Sequence, residues 1–270
     1  MKSREAILIV ALVILLVTVS CYAISLQHEN SNEGSERIGV IGAMGPEVEY
    51  LISIMDDKEV STFSEMNFYS GKIHGKDVTV VQCGMGKVNA GICANHLINH
   101  FNVKAIINTG VAGSLSNELD IGDIVVSTDA VQHDFDVSPI GFEKGEIPYT
   151  GKYSFPADNY LVELADYVIA NCITDVNHMT GRVCTGDQFV NTTEQKETIT
   201  GNFGGLCCEM EGGAIAQVCY LNDTPFVIIR AVSDKADGTS PGDYEEFMKK
   251  AAKRSSMIVE LMIETYGKAV

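Results

Sequence analysis

The sequence is short of positive charge. Its 270 residues carry 19 Lys and Arg against 36 Asp and Glu, a formal net charge of −17. Such a field repels phosphate backbones and anionic surfaces at long range, so no nucleic-acid partner is expected. Two familiar signatures are also missing: a Gly-Lys-Ser/Thr phosphate loop, and a Gly-x-Gly-x-x-Gly turn opening the first helix to cradle a dinucleotide. No Cys-x-x-Cys pair occurs. Beyond Cys21 the thiols are Cys83, Cys93, Cys172, Cys184, Cys207, Cys208 and Cys219, scattered through apolar segments. They read as core thiols, a set that suits a reducing compartment and that survives export by burial and not by pairing. Internal repeats and low-complexity tracts are absent, and the length fits one large domain.

The N-terminus is different in kind. Ala6 to Val19 is apolar apart from Thr18, follows Lys2 and Arg4, and is trailed by Ser20, Cys21 and Ala23. Residues 1–26 therefore read as an export signal or membrane anchor, cleaved, lipidated at Cys21 or retained. The polar stretch 27–36 behind them reads as a linker, and 37–270 as the folded domain. Export or anchoring is the expected location; the unpaired thiols keep a cytoplasm-facing domain open as well.

From Arg37 onward, short β-branched runs alternate with amphipathic stretches, the pattern of a mostly parallel sheet flanked by helices in an α/β domain. Expected strands are Ile38 to Met44, Phe68 to Ile73, Val78 to Cys83, Ala105 to Thr109, Asp123 to Val131, Thr180 to Thr185 and Pro225 to Ala231. Helices are expected from about Pro46, then at Lys87 to His100, Asn159 to Ala170, Gly212 to Leu221 and Asp243 to Tyr266. Residues 132–157 form a long connection of little periodicity, a kind of loop that tends to be functional.

Glycines and acids follow these strands in series: Gly42 to Glu47, Gly84-Met85-Gly86, Gly110 to Ser114, Gly186-Asp187, Glu209 to Gly213, and Ser233-Asp234. In an open parallel sheet the C-terminal strand ends line one crevice, so these segments are expected to share one pocket. His96 and His100 lie four apart on a helix, but Leu97 replaces the glutamate that the zinc-hydrolase motif needs and no third ligand accompanies them. Neither a metal nor a cofactor is expected.

What remains is a set of carboxylates with one arginine, which fits cleavage of a nucleoside. Breaking the bond from ribose to adenine requires a proton for the base, stabilisation of an oxocarbenium-like sugar, and water on the far side. One carboxyl must be kept protonated by burial or a neighbouring charge while another stays ionised. The residues that could serve also have bland uses: Glu47 and Glu211 as acids complementing helix dipoles, and Asp234 as a turn cap.

Ile41-Gly42-Ala43-Met44 with Glu47, Gly84 to Val88, Asn108-Thr109-Gly110, Gly122 to Val126, Glu209-Met210-Glu211 and Arg230 to Asp234 resemble, in order and spacing, the bacterial 5′-methylthioadenosine/S-adenosylhomocysteine nucleosidases of the purine nucleoside phosphorylase/uridine phosphorylase family. The resemblance implies a single-domain, three-layer α/β sandwich with a mixed, mostly parallel central sheet. It implies that Asp234 donates to adenine N7, that Glu47 positions the attacking water with help from Arg230, and that Glu211 accepts both ribose hydroxyls. Met210 would pack on the sugar and Phe189 on adenine. The Val190 backbone would read the adenine edge, and Ala112, Gly113, Met85 and Ser233 would complete the substrate site. Val137, Ile140, Phe142 and Pro148 align with a segment that enters the neighbouring subunit's 5′ pocket, which implies a homodimer with shared sites.

Two departures stand out. Val111 occupies a place usually held by a hydroxyl residue, and Gly45 and Pro46 replace acids before Glu47. The expected activity is hydrolysis of the N-glycosidic bond of a small nucleoside, 5′-methylthioadenosine or S-adenosylhomocysteine. A purine nucleoside phosphorylase of the same fold would need cations to hold phosphate, and the loop at Gly42 offers none. The residues also leave room for a hydrolase of a different 6-aminopurine nucleoside, and for a surface-anchored nucleoside-binding or adhesion protein of the same fold.

Overall fold

The computed structural model describes residues 36–173, 175–239 and 244–268. Residues 1–26, expected to be an export signal or anchor, with Cys21 among them, and all of the expected linker but Glu36 lie outside the described residues. The seven cysteines after Cys21 are all free, and all but the exposed Cys172 are buried.

Among the described residues, ten strands make one sheet. They are β1 (Ile38–Gly42), β2 (Asp56–Phe63), β3 (Met66–Ile73), β4 (Lys76–Gln82), β5 (Ala105–Ser114), β6 (Ile124–Gln132), β7 (Phe155–Pro156), β8 (His178–Thr185), β9 (Cys207–Glu209) and β10 (Phe226–Asp234). The helices are α1 (Gly45–Ser53), α2 (Lys87–Phe101), α3 (Asn159–Cys172), α4 (Thr193–Phe203), α5 (Gly212–Leu221) and α6 (Tyr244–Thr265). Strand order is β10-β6-β8-β9-β5-β1-β4-β3-β2, with β7 on β6 and a further pairing of β10 with β5. That last pairing returns the sheet on itself, so β5, β10, β6, β8 and β9 form a closed ring where an open crevice was expected.

The sheet is mixed. Parallel pairs join β1 to β4 and β5, β5 to β10, and β8 to β6 and β9. Antiparallel pairs join β2–β3, β3–β4, β6–β10, β5–β9 and β6–β7. The β3–β4 hairpin turns at His74 and Gly75, both at positive φ (49° and 76°), the geometry that matches strand twist in a two-residue loop.

Alternation along the strands sorts the core onto two faces. Ile38 and Val40 of β1 and Val227 and Ile229 of β10 pack with Leu51 of α1, Leu161 and Leu164 of α3, and Ile258 and Met262 of α6. Ile41, Ile106, Ile228 and Val232 face the other way, against Ala90, Cys93 and Leu97 of α2 and Ile215 and Cys219 of α5. The α2 residues recur at helical spacing, and the helix stops at Asn102, which is left-handed at φ 49°.

β5 runs five residues past its expected end at Thr109, because Gly110 to Gly113 pair with β10 from Arg230 to Asp234. The strand expected to end at Met44 stops at Gly42, with Met44 as the N-cap of α1. The long connection 132–157 carries a short 3₁₀ turn at Ser138–Ile140, an isolated antiparallel bridge between Ile147 and Lys152, and the two residues of β7. His96 and His100 stack on Phe63, and His96 Nε2 lies 2.9 Å from Ser64 Oγ.

Candidate active site

The turn from β1 into α1 places the first acid. A Cβ on Gly42 would lie 2.7 Å from Val48 Cγ1 and 2.9 Å from Glu47 Cβ, so only glycine lets the helix start hard against the strand end. Glu47 is thereby drawn inside, 1% exposed. Its Oε2 accepts from the amides of Ala43 (2.7 Å) and Met44 (2.9 Å), and its Oε1 accepts from the amide of Val111 (3.0 Å). Burial pushes the Glu47 carboxyl above its ordinary range, opposed by the Arg230 charge and these amides. From α6, Ser256 Oγ donates to the Glu47 carbonyl at 2.6 Å.

Arg230 sits in the middle of β10, wholly buried, on the face it shares with Ile228 and Val232. A guanidinium there demands anions. Its Nη2 donates to Asn108 Oδ1 (2.6 Å) and to Glu209 Oε2, and lies 3.6 Å from Glu211 Oε2. Burial alone would lower its pKa, but Glu209, Glu211 and Glu47 more than offset this, so it stays charged. Its Nε and Nη1 are buried without a partner.

Glu209 also takes the amides of Glu211 (3.0 Å) and Gly212 (2.8 Å), and a hydrogen bond from Thr185 Oγ1. The dipole of α5 is thus complemented by Glu209, which leaves the Glu211 carboxylate free to face the cleft. Glu211 Oε1 accepts from the Gly86 amide at 2.9 Å. Burial, with the charges of Glu209 and Glu47, raises the Glu211 pKa to about 7, against the opposing pull of Arg230 and that amide.

At the end of β10, Asp234 Oδ1 caps the turn by accepting from the Ala236 amide (2.8 Å), while Oδ2 accepts from Ser233 Oγ (2.8 Å). Between these groups lies a half-open cleft lined by Met44, Glu47, Met85, Ala112, Gly113, Phe189, Val190, Met210, Glu211, Ser233 and Asp234, among others. Met85 and Phe189 stand at its edge, 62% and 57% exposed.

Of the residues singled out in the sequence for catalysis or substrate binding, all but Arg230 line this cleft, and Arg230 lies behind it against Glu209 and Glu211. Val137, Ile140, Phe142 and Pro148 do not line it; Ile140 is 72% exposed on the loop after β6. Sequence reasoning placed Glu209 in the pocket and Asn108 in a motif but gave neither a role, and it missed Gln188 and Cys208, which also line the cleft; Asn108 holds Arg230. For Glu209 a signal existed, because an arginine inside the apolar run Phe226 to Val232 has to find a buried anion.

A family model described as the phosphorylase superfamily matches residues 37–264. A 5′-methylthioadenosine/S-adenosylhomocysteine nucleosidase of Shewanella sediminis is 41% identical over 229 residues, 84% of this chain and 99% of its own length. Among solved structures, the nucleosidase of that name from Colwellia psychrerythraea, in complex with adenine, aligns with TM-score 0.81 at 38% identity, covering 85% of this chain and 95% of that one. A futalosine hydrolase of Helicobacter pylori aligns with TM-score 0.80 at 30% identity, covering 84% and 97%. With the match running the length of the folded domain and the relatives covered almost end to end, the chain belongs to the phosphorylase superfamily, among its 5′-methylthioadenosine/S-adenosylhomocysteine nucleosidases.

Proposed function

We propose that this protein hydrolyses the N-glycosidic bond of 5′-methylthioadenosine and S-adenosylhomocysteine, releasing adenine and the 5-thio-ribose product. The observation that carries this reading is that Glu47, Glu211 and Asp234 line one cleft, with a buried arginine behind them. Asp234 gives its proton to adenine N7 as the bond to ribose breaks, and Glu47 takes a proton from the water that attacks the sugar carbon. Glu211 accepts from the ribose hydroxyls, a two-point contact that disfavours a deoxyribose. Arg230, beside Glu47, has two nitrogens, Nε and Nη1, without a partner and helps hold the water. Phe189 packs on adenine, the Val190 backbone reads its edge, Met210 packs on the sugar, and Met85, Ala112, Gly113 and Ser233 shape the rest.

Water is favoured over phosphate as nucleophile because no Lys or Arg stands among the residues that line the cleft. The futalosine hydrolase relative supports a second reading in which the same chemistry acts on a nucleoside with another 5′ substituent. A homodimer is part of the proposal, with Val137, Ile140, Phe142 and Pro148 closing the neighbour's 5′ pocket. So is export or membrane attachment through residues 1–26, tested by cell fractionation with a C-terminal tag.

The deciding assay is adenine release from both nucleosides with and without phosphate. Release independent of phosphate, lowered about 10²–10⁴-fold in Asp234→Asn and in Glu47→Gln, is the expected result. Dependence on phosphate, or full activity in either variant, overturns the reading.

A further inference from the structure

The start of α2 is built in an unusual way. Its N-cap is Gly86, at φ 97°, with no side chain to offer. The missing cap comes from 100 residues away: the Lys87 amide donates to Asp187 Oδ1 at 2.8 Å. The Asp187 amide donates to Asp134 Oδ2 at 2.8 Å, and Lys87 Nζ donates to Asp134 Oδ1 at 2.6 Å. These bonds close a ring through the loop after β4, the end of the β6 segment and the loop after β8. The ion pair within it is largely shielded, with side-chain exposures of 17% and 15%. Burial would raise the Asp134 pKa, but the Lys87 ammonium and the Asp187 amide hold it below the usual carboxylate range.

Helix capping alone does not explain the ring. A serine or aspartate at an N-cap satisfies the first turn by itself, whereas a Cβ on Gly86 would meet Asp187 Oδ1 at 3.1 Å in a left-handed backbone. A shielded ion pair also carries a desolvation cost that a local cap avoids. What the ring gains is a fixed place for the Gly86 amide, which points away from the helix to Glu211 Oε1 at 2.9 Å. The ring also anchors the loop that continues from Asp187 into Gln188, Phe189 and Val190 of the cleft.

We infer that Lys87, Asp134 and Asp187 form a positioning device that presents the Gly86 amide to Glu211 and so sets the preference for nucleosides carrying both ribose hydroxyls. The inference rests on the reading that Glu211 receives those hydroxyls. Glu211 is faced by Glu209 and Glu47, which disfavour its ionised form, and by Arg230 and the Gly86 amide, which favour it. With the amide displaced, the balance moves toward a protonated Glu211. That form has given up acceptor capacity and no longer serves two hydroxyl donors.

The test uses Lys87→Met, Asp134→Asn and the conservative Lys87→Arg in the full chain. Adenine release is measured from 5′-methylthioadenosine and its 2′-deoxy analogue between about pH 6 and pH 9. In parallel, the Glu211 carboxyl is titrated by carbon-13 resonance, its signal assigned by loss in Glu211→Gln. Lys87→Met and Asp134→Asn should raise KM for the ribonucleoside about tenfold near neutral pH, the loss of one hydrogen bond to a charged group. KM for the deoxy analogue and kcat should change little. The Glu211 titration should move to higher pH, KM should recover toward pH 9, and Lys87→Arg should restore part of the effect. Equal KM changes for both nucleosides, or an unmoved Glu211 titration, overturn the inference. Absence of adenine release by the unmodified protein would instead overturn the proposed activity, and the titration would still decide the ring.

Discussion

Glu209 and Arg230 are paired beside the cleft, their side chains 2% and 0% exposed, and Glu209 spends its remaining capacity on the Thr185 hydroxyl and the amides that open α5. One acid therefore neutralises the buried cation and caps a helix, which leaves its neighbour Glu211 available to the cavity. Two acids two residues apart, Glu209 and Glu211, both line the cleft but divide the work: Glu209 is taken up by Arg230, Thr185 and two amides, while Glu211 accepts one amide, that of Gly86.

Glu209→Gln tests that division. The amide keeps the shape and much of the hydrogen bonding but removes the charge that balances Arg230. Breaking a buried pair from one side should cost about 3 kcal/mol, read by urea unfolding. The same substitution removes one of the two anions that raise the Glu211 pKa, so Glu211 should titrate at lower pH in the variant. A loss of stability with no movement of Glu211 would show that the acids are not coupled through Arg230.

Gly110 offers a sharper probe of the water site. A Cβ there would stand 2.1 Å from Arg230 Nη1 and 2.6 Å from Glu47 Oε1, between the two groups assigned to the water. Gly110→Ala forces the buried, hydrogen-bonded Arg230 and Glu47 side chains to shift, at a stability cost of about 3 kcal/mol or more, read by urea unfolding beside the kinetics. Its kcat should fall by about two orders of magnitude or more, while KM changes less, because the damage falls on groups used in the transition state. Unaltered kcat would place the nucleophile elsewhere.

How far these features could be read from the sequence depended on whether burial left a periodic trace. α2, α5, β1 and β10 showed themselves because each buries one or both faces in the core. β2 did not, since Asp56–Phe63 is an edge strand exposed almost throughout and its composition is that of a loop. α4 buries only Ile199 and Phe203, so apolar spacing was silent. Its start was nonetheless signalled by Thr192 and Gln195, where Thr192 Oγ1 accepts from the Gln195 amide at 3.2 Å in the spacing of a capping box. The cleft residues were legible through motifs at strand ends. The Lys87–Asp134–Asp187 ring was not, because its members are far apart in the chain and nothing in the sequence ties Lys87 and Asp187, which lie in motif segments, to Asp134.

Glu211→Gln carries the last prediction, and its sign follows from linkage. The Glu211 pKa is raised from 4.5 to about 7 on folding, so the folded state holds the proton more tightly than the unfolded chain does. Relative to an uncharged residue, Glu211 imposes no penalty below about pH 4.5 and a growing one as pH rises from there through about 7, where it levels off. Glu211→Gln should therefore be more stable than the unmodified protein at about pH 8, by an amount on the order of 2 kcal/mol, and no more stable near pH 4.5. The gain in stability should come with a higher KM for ribonucleosides, because an amide replaces one acceptor with a donor. Unfolding midpoints at the two pH values check the first part and adenine release checks the second. A variant less stable at both would mean that the ionised carboxylate is supported by its surroundings, against the raised pKa on which the sign depends.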